Sequence, residues 1–177
     1  KLLDAVAGAQ DGDVITITGA VQAKNEGTGS NANRGEIVIN KSLTIKGKTG
    51  ATSDILDANA NNLGSDAHRI FKVASGKTLT LENLTLKNGQ GSESGNTDNG
   101  GAVYVKGGTV EMTLCTLTGN KADKGGAVYA EKDGSTRAAV TLKGCTIGGT
   151  GTNDANKAIL GSDQEGGGIY IGEGCPL

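Results

Sequence analysis

Gly125-Gly126-Ala127-Val128-Tyr129-Ala130 decides how this chain is built, because it recurs. Gly100-Gly101-Ala102-Val103-Tyr104-Val105 precedes it, and Gly166-Gly167-Gly168-Ile169-Tyr170-Ile171 follows. A second motif is interleaved. Leu79-Thr80-Leu81-Glu82-Asn83-Leu84-Thr85-Leu86 aligns without gaps on residues 110–117 and on residues 140–147, at offsets of 31 and 30 residues. Self-similarity at such a period marks a solenoid, in which each repeat buries its apolar face on the next.

Outward from these repeats, the segments alternate apolar and polar residues at period two, the mark of half-buried strands. Val14-Ile15-Thr16-Ile17, Ile37-Val38-Ile39, Leu43-Thr44-Ile45, Ile55-Leu56 and Ile70-Phe71-Lys72-Val73 lead into the aligned repeats. Each rung is expected to hold a strand of the Val-Tyr-Val kind and a longer bent strand of the Leu-Thr-Leu kind. About five such rungs, ~4.8 Å apart, make a column some 25 Å tall. Stacking predicts inward ladders: Leu43, Leu84, Cys115, Cys145; then Ile45, Leu86, Leu117, Ile147; then Phe71, Val103, Val128, Ile169. Asn83 and Gly144 fall at the corner of the bent strand, where a positive φ suits them. Leu114 falls at the same corner and breaks that rule. Residues 1–10 read as a short amphipathic helix, with Leu2, Leu3, Val6 and Ala9 towards one face, stopped by Asp11-Gly12-Asp13. Such a helix would cover the raw end of the column.

The fold expected is therefore a right-handed parallel β-helix, one domain over residues 1–177, with a cap at 1–12 and rungs from 13 to 177. The start at Lys1 and the stop at Cys175-Pro176-Leu177, just past a repeat strand, suggest a piece of a longer protein. Further rungs or a partner chain are then expected to cover the C-terminal end.

Bulk composition narrows the function. Aromatics are 2% of the 177 residues and Trp is absent, too little bulk for an ordinary globular core but enough for a narrow aliphatic column. Net charge is −2 with both signs interspersed, which speaks against nucleic acid or an anionic membrane as partner. No apolar run approaches the length of a membrane span.

The Gly-Gly-Ala-Val motif, paired with Thr116-Leu117-Thr118-Gly119-Asn120, resembles the repeats of the chlamydial polymorphic outer-membrane proteins, known by a GGA-aliphatic and an FxxN motif. The likeness covers about residues 70–174, with Leu117 and Leu86 where the family has Phe. The opening stretch, through Asp11-Gly12-Asp13-Val14-Ile15 and residues 39–47, is similar to the first coils of pectin-lyase-like proteins. Both resemblances imply a right-handed parallel β-helix. The first also implies an adhesin at the bacterial cell surface (outer membrane) or outside the cell.

No catalytic constellation converges. Asn96-Thr97-Asp98 matches one polygalacturonase motif, but the paired Asp and Gly-His-Gly motifs that accompany it are missing, and these are default turn residues. Asp54 with Asp57, and Asp163 with Glu165, are the carboxylate pairs that a carbohydrate-active enzyme of the pectin-lyase type would need. Asn153-Asp154 and residues 163–165 offer oxygens to calcium, yet no EF-hand or comparable repeat is present. No catalytic residue, metal ligand or cofactor site is assigned. Cys115 and Cys145 share a ladder position and are read as free, buried thiols. Recurring outward Thr residues, such as Thr78 and Thr80, are read as ordinary strand residues.

Tyr104, Tyr129 and Tyr170 occupy one outward ladder position and are the candidate ligand-binding residues, as an exposed aromatic stripe for host protein or glycan. Cross-strand stacking that stabilises the sheet is the alternative. Of the long polar loops at 23–35, 89–100 and 148–166, the last two are further candidates for contact. The expected function is a non-catalytic bacterial surface or secreted binding module. A carbohydrate-active enzyme and a purely structural spacer are the alternatives.

Overall fold

A computed structural model describes residues 2–22, 35–58, 67–91, 99–151, 153–159 and 164–177. Three five-stranded parallel sheets wrap one apolar column. The first sheet stacks Val14–Ile17, Leu43–Gly47, Thr78–Glu82, Thr109–Thr113 and Ala139–Lys143. The second stacks Ala20–Gln22, Ile55–Asp57, Thr85–Lys87, Thr116–Thr118 and Thr146–Ile147. The third stacks Ile37–Ile39, Phe71–Val73, Val103–Lys106, Val128–Glu131 and Ile169–Ile171. Every pairing within these sheets is parallel, and the chain visits the sheets in turn, so this is a parallel β-helix. Its crossovers take the right-handed sense of parallel connections within one sheet.

The bent strand is thus two strands in two sheets. Its corner has left-handed backbone at Asn83 (φ 54°), Leu114 (φ 54°) and Gly144 (φ 61°). The alignment at Leu114 is in register, and the leucine carries the strain of a conformation its Cβ disfavours.

The third ladder stands as expected and begins one rung earlier, at Ile37 paired with Phe71. The first two ladders need correction at one end. Leu43 pairs with Leu79 and Ile45 with Leu81, in the first sheet, so neither continues into Leu84 or Leu86. The cause is Asp54. It occupies the inward position just before Ile55, which pairs with Thr85, and so stands where later rungs carry Leu84 and Cys115. Its carboxylate is buried and accepts hydrogen bonds from the backbone N–H groups of Gly19 (2.8 Å), Thr49 (2.5 Å) and Gly50 (2.9 Å). Those bonds, Gly50 foremost, hold its carboxyl below the usual carboxylate range.

The repeated motifs have distinct mechanical roles. Gly100, Gly125 and Gly166 have φ near +60°, and a Cβ there would lie 2.2–2.4 Å from the carbonyl oxygen three residues on. A Cβ on Gly101 would sit 2.3 Å from Gly126 O, and one on Gly126 2.2 Å from Gly167 O. The first glycine turns the chain, and the second lets successive turns touch backbone to backbone. The third position, Ala102 and Ala127, is fully buried.

The asparagine motif ties rung to rung. Asn120 Nδ2 donates to Leu86 O (3.2 Å), and Asn120 Oδ1 accepts from Gly89 N (2.8 Å). One rung on, Asn156 Nδ2 donates to Leu117 O (2.8 Å), and its Oδ1 accepts from Asn120 N (3.1 Å). These asparagines satisfy buried backbone groups where the chain leaves the second sheet. Just beyond, Lys121–Ala122 pairs with Lys157–Ala158 in a two-stranded sheet that the sequence reading did not foresee.

The helix Leu2–Gly8 packs on the first rungs through Leu2, Val6 and the following Ala9, while Leu3 is 42% exposed and does not join them. Lys41 Nζ donates to the carbonyls of Val6 (3.2 Å), Ala7 (2.7 Å) and Ala9 (2.7 Å), satisfying the C-terminal end of the helix.

Candidate functional site

The outward column of the third sheet runs Val38, Lys72, Tyr104, Tyr129, Tyr170. Parallel in-register strands put equal side chains one strand spacing apart, and the three rings accordingly stack. Ring centroids are 5.5 Å apart for Tyr104 and Tyr129, and 5.1 Å for Tyr129 and Tyr170, with planes 18° and 7° from parallel. Cations flank the stack. The Arg69 guanidinium lies 4.9 Å from the Tyr104 ring centre and Lys72 Nζ 5.7 Å, while Lys124 Nζ lies 5.4 Å from that of Tyr170.

One carboxylate serves two rings. Tyr104 donates its hydroxyl to Glu131 Oε1 (2.5 Å) and Tyr129 to Glu131 Oε2 (3.0 Å). Burial first, then Glu131, pushes both phenols above their usual range, so both remain protonated donors.

The expectation of an exposed stripe is corrected here. Tyr104 is 3% and Tyr129 7% exposed, and only Tyr170 is half-buried. The rings do make the cross-strand stack that stood as the alternative reading.

Arg69 anchors its inner end. The guanidinium forms a buried ion pair with Glu36, donates from Nε to Asn99 O (3.0 Å) and Gly100 O (2.8 Å), and from Nη2 to Asn99 O (2.7 Å). It thereby clamps the Gly100-Gly101 turn from the rung before. Sequence reasoning passed over Arg69. The available signal was an arginine directly before an apolar strand, a place where a charge must be paired. Beside it His68 is buried, with Nδ1 2.7 Å from Arg69 O and Nε2 without a partner. A carbonyl only accepts, so Nδ1 carries the proton. Burial lowers the His68 pKa and keeps the ring neutral.

The carboxylates considered for catalysis are engaged in structure. Asp54 is held by backbone amides. Asp57 lies 3.3 Å from Lys87 Nζ and accepts from Asn88 Nδ2 (2.8 Å). Glu165 pairs with Lys124 at 3.1 Å. Asp154, considered for calcium, accepts from Gly151 N at 2.7 Å. Among the described residues no group of three His, Cys, Asp or Glu side chains is placed to hold a metal ion. Asn96 to Asp98, Asp163 and most of the 23–35 loop lie outside the described residues, as do 92–98 and 160–163 of the other two loops. Among the described residues no helix is long and apolar enough to cross a membrane.

The decisive comparison falls on one turn of this coil. Residues 114–131 match the Chlamydia polymorphic membrane protein repeat. The match runs from the Leu114 corner through the second-sheet strand, Asn120 and the Gly125-Gly126 turn to Glu131 beneath the tyrosine stack. No curated protein and no solved structure gives a significant match to the chain. The matched segment is, in this chain, the second-to-third-sheet part of one rung of a parallel β-helix.

Proposed function

We propose that this chain is a bacterial surface-displayed or secreted binding module, adhesin-like and non-catalytic, that presents the outside of its β-helix to host protein or glycan. The observation that carries the reading is the coincidence of the matched repeat, residues 114–131, with a complete second-to-third-sheet turn. The repeat supplies what a coil needs: inward aliphatics, the Gly-Gly contact and the asparagine tie. It leaves the outward positions free to vary, which makes the outer surface the place for recognition. Within the tyrosine column, recognition falls to Tyr170, the ring that stays accessible, with Lys124 and Glu165 beside it. Tyr104 and Tyr129 serve this face from beneath, by fixing the stack.

Antibody labelling of intact cells that make the chain tests display. Labelling only after the cells are permeabilised would contradict it. Saturable binding to host cells or matrix glycoproteins tests recognition. A spacer would bind nothing, and a polysaccharide-active enzyme would instead release reducing ends or unsaturated sugars from its substrate.

A further inference from the structure

We propose that Cys115 and Cys145 form a latent cross-link, closed into a disulfide by exchange with a small-molecule disulfide, that fastens one rung of the coil to the next. The register Thr116 to Thr146 places the preceding residues, Cys115 and Cys145, as neighbours on adjacent rungs. Thr146 N donates to Cys115 O at 2.8 Å, which locks that neighbourhood. Strand neighbours lie ~4.8 Å apart at Cα, within the range of about 4.4–6.8 Å that disulfides span. Both thiols occupy the same inward column, Cys115 in the buried core and Cys145 half-buried against it.

The sulfurs are poised along the column axis. Cys115 Sγ donates to Leu81 O and Cys145 Sγ to Met112 O, each at 3.4 Å. Leu81 and Met112 are themselves in register, so each thiol leans towards the rung before its own. Cys145 therefore leans towards the rung of Cys115. Both cysteines sit at the corner, one residue before a strand of the second sheet.

The chemistry follows from unequal exposure. Cys145, the more accessible, attacks one sulfur of the external disulfide as its thiolate, and one small thiolate leaves. Cys115 then releases Leu81 O, turns and attacks the Cys145 sulfur. The Cys115–Cys145 bond forms, and the second small thiolate leaves. Two electrons reduce the external disulfide to two thiols, which take the two cysteine protons. This order suits the two environments, since burial pushes the Cys115 thiol up to about 11 and makes it a poor first nucleophile. Cys175 belongs to a different column. Pro176 O accepts from Val140 N, which places Pro176 opposite Ala139 in the first sheet and Cys175 just before it.

The test uses oxidised glutathione on the folded protein, alkylation of remaining thiols, and peptide mapping without reduction. The expected map shows Cys115 linked to Cys145 in wild type and in Cys175→Ser alike, with Cys175 alkylated in wild type. The oxidised protein should also unfold at a higher temperature, a gain that dithiothreitol removes. In Cys145→Ser, Cys115 should stay unmodified. Stable glutathione on Cys145 with Cys115 alkylated would overturn the proposal, as would a bridge to Cys175 or complete alkylation of all three cysteines.

Discussion

Asn120 donates its side-chain amide to the side-chain oxygen of Asn156 at 2.8 Å, and each asparagine reaches the same two backbone groups one rung earlier. The Asn of the repeat motif is thus a fastener between rungs, and its chemistry is specific. Asn120 is fully buried and uses both its donor and its acceptor. Asn120→Ala should leave Gly89 N unpaired and remove a bond to Leu86 O, at a cost of about 1–3 kcal/mol for the buried donor left unsatisfied. Asn120→Asp should lose the amide donor and bury a charge. Urea unfolding would measure both, and stability equal to wild type in either variant would remove the fastener role.

Leu114 offers the opposite opportunity. It is 55% exposed and holds φ 54°, where its rung neighbours at the corner are Asn83 and Gly144. A left-handed conformation costs an ordinary L residue about 1–2 kcal/mol. Leu114→Asn or Leu114→Gly should therefore raise stability, by up to about 1 kcal/mol once the extra freedom of the unfolded chain is counted. Thermal unfolding would show it as a higher midpoint.

Gly126→Ala should be among the most damaging small substitutions in the chain. Its Cβ would lie 2.2 Å from Gly167 O and 2.5 Å from Lys157 N, both backbone atoms of the next turn. Overpacking of this kind costs about 3 kcal/mol or more. Gly8→Ala meets nothing within 4 Å and is the matched control, expected to shift stability by no more than about 1 kcal/mol. Circular dichroism melts of the two variants compare them directly.

His68 sets an acid limb of stability. In the unfolded chain the imidazole takes a proton near the usual pKa of about 6.5. In the fold, burial lowers that value. The unfolded state therefore binds more protons in the window between the two. The contribution is complete above the unfolded value and is lost as pH falls through the window towards the folded one. Asp54 acts in the same direction at lower pH, below its ordinary value of 3.8. His68→Asn keeps a donor for Arg69 O and should flatten the stability curve just below about pH 6.5. An unchanged slope there would mean that His68 is not the titrating group.

The later rungs were legible in the sequence and the earlier ones were not, for one physical reason. From residue 71 onwards the inward positions are apolar and set inside recurring motifs, so alignment alone places Val103 on Val128 and Leu86 on Leu117. In the second rung a polar side chain takes an inward place. Asp54 is tolerated there because three amides satisfy it, an arrangement that hydrophobic periodicity cannot register. That substitution shifted Leu43 from its true partner Leu79 to Leu84. The tyrosine column shows the same limit. Periodicity gave its alignment and its outward direction. Its burial depends on Arg69 and Glu131, which lie at other positions and meet the rings only in the fold.

Titrating host cells and immobilised matrix glycoproteins with this protein, beside Tyr170→Asp and the buried-ring control Tyr129→Phe, tests the account most directly. The account predicts saturable binding by wild type, retained by Tyr129→Phe and weakened at least tenfold by Tyr170→Asp, with circular dichroism spectra unchanged. Absence of saturable binding by the wild-type protein would contradict the recognition role and leave the coil as a spacer. Full binding by Tyr170→Asp would contradict the placement of recognition at the tyrosine column.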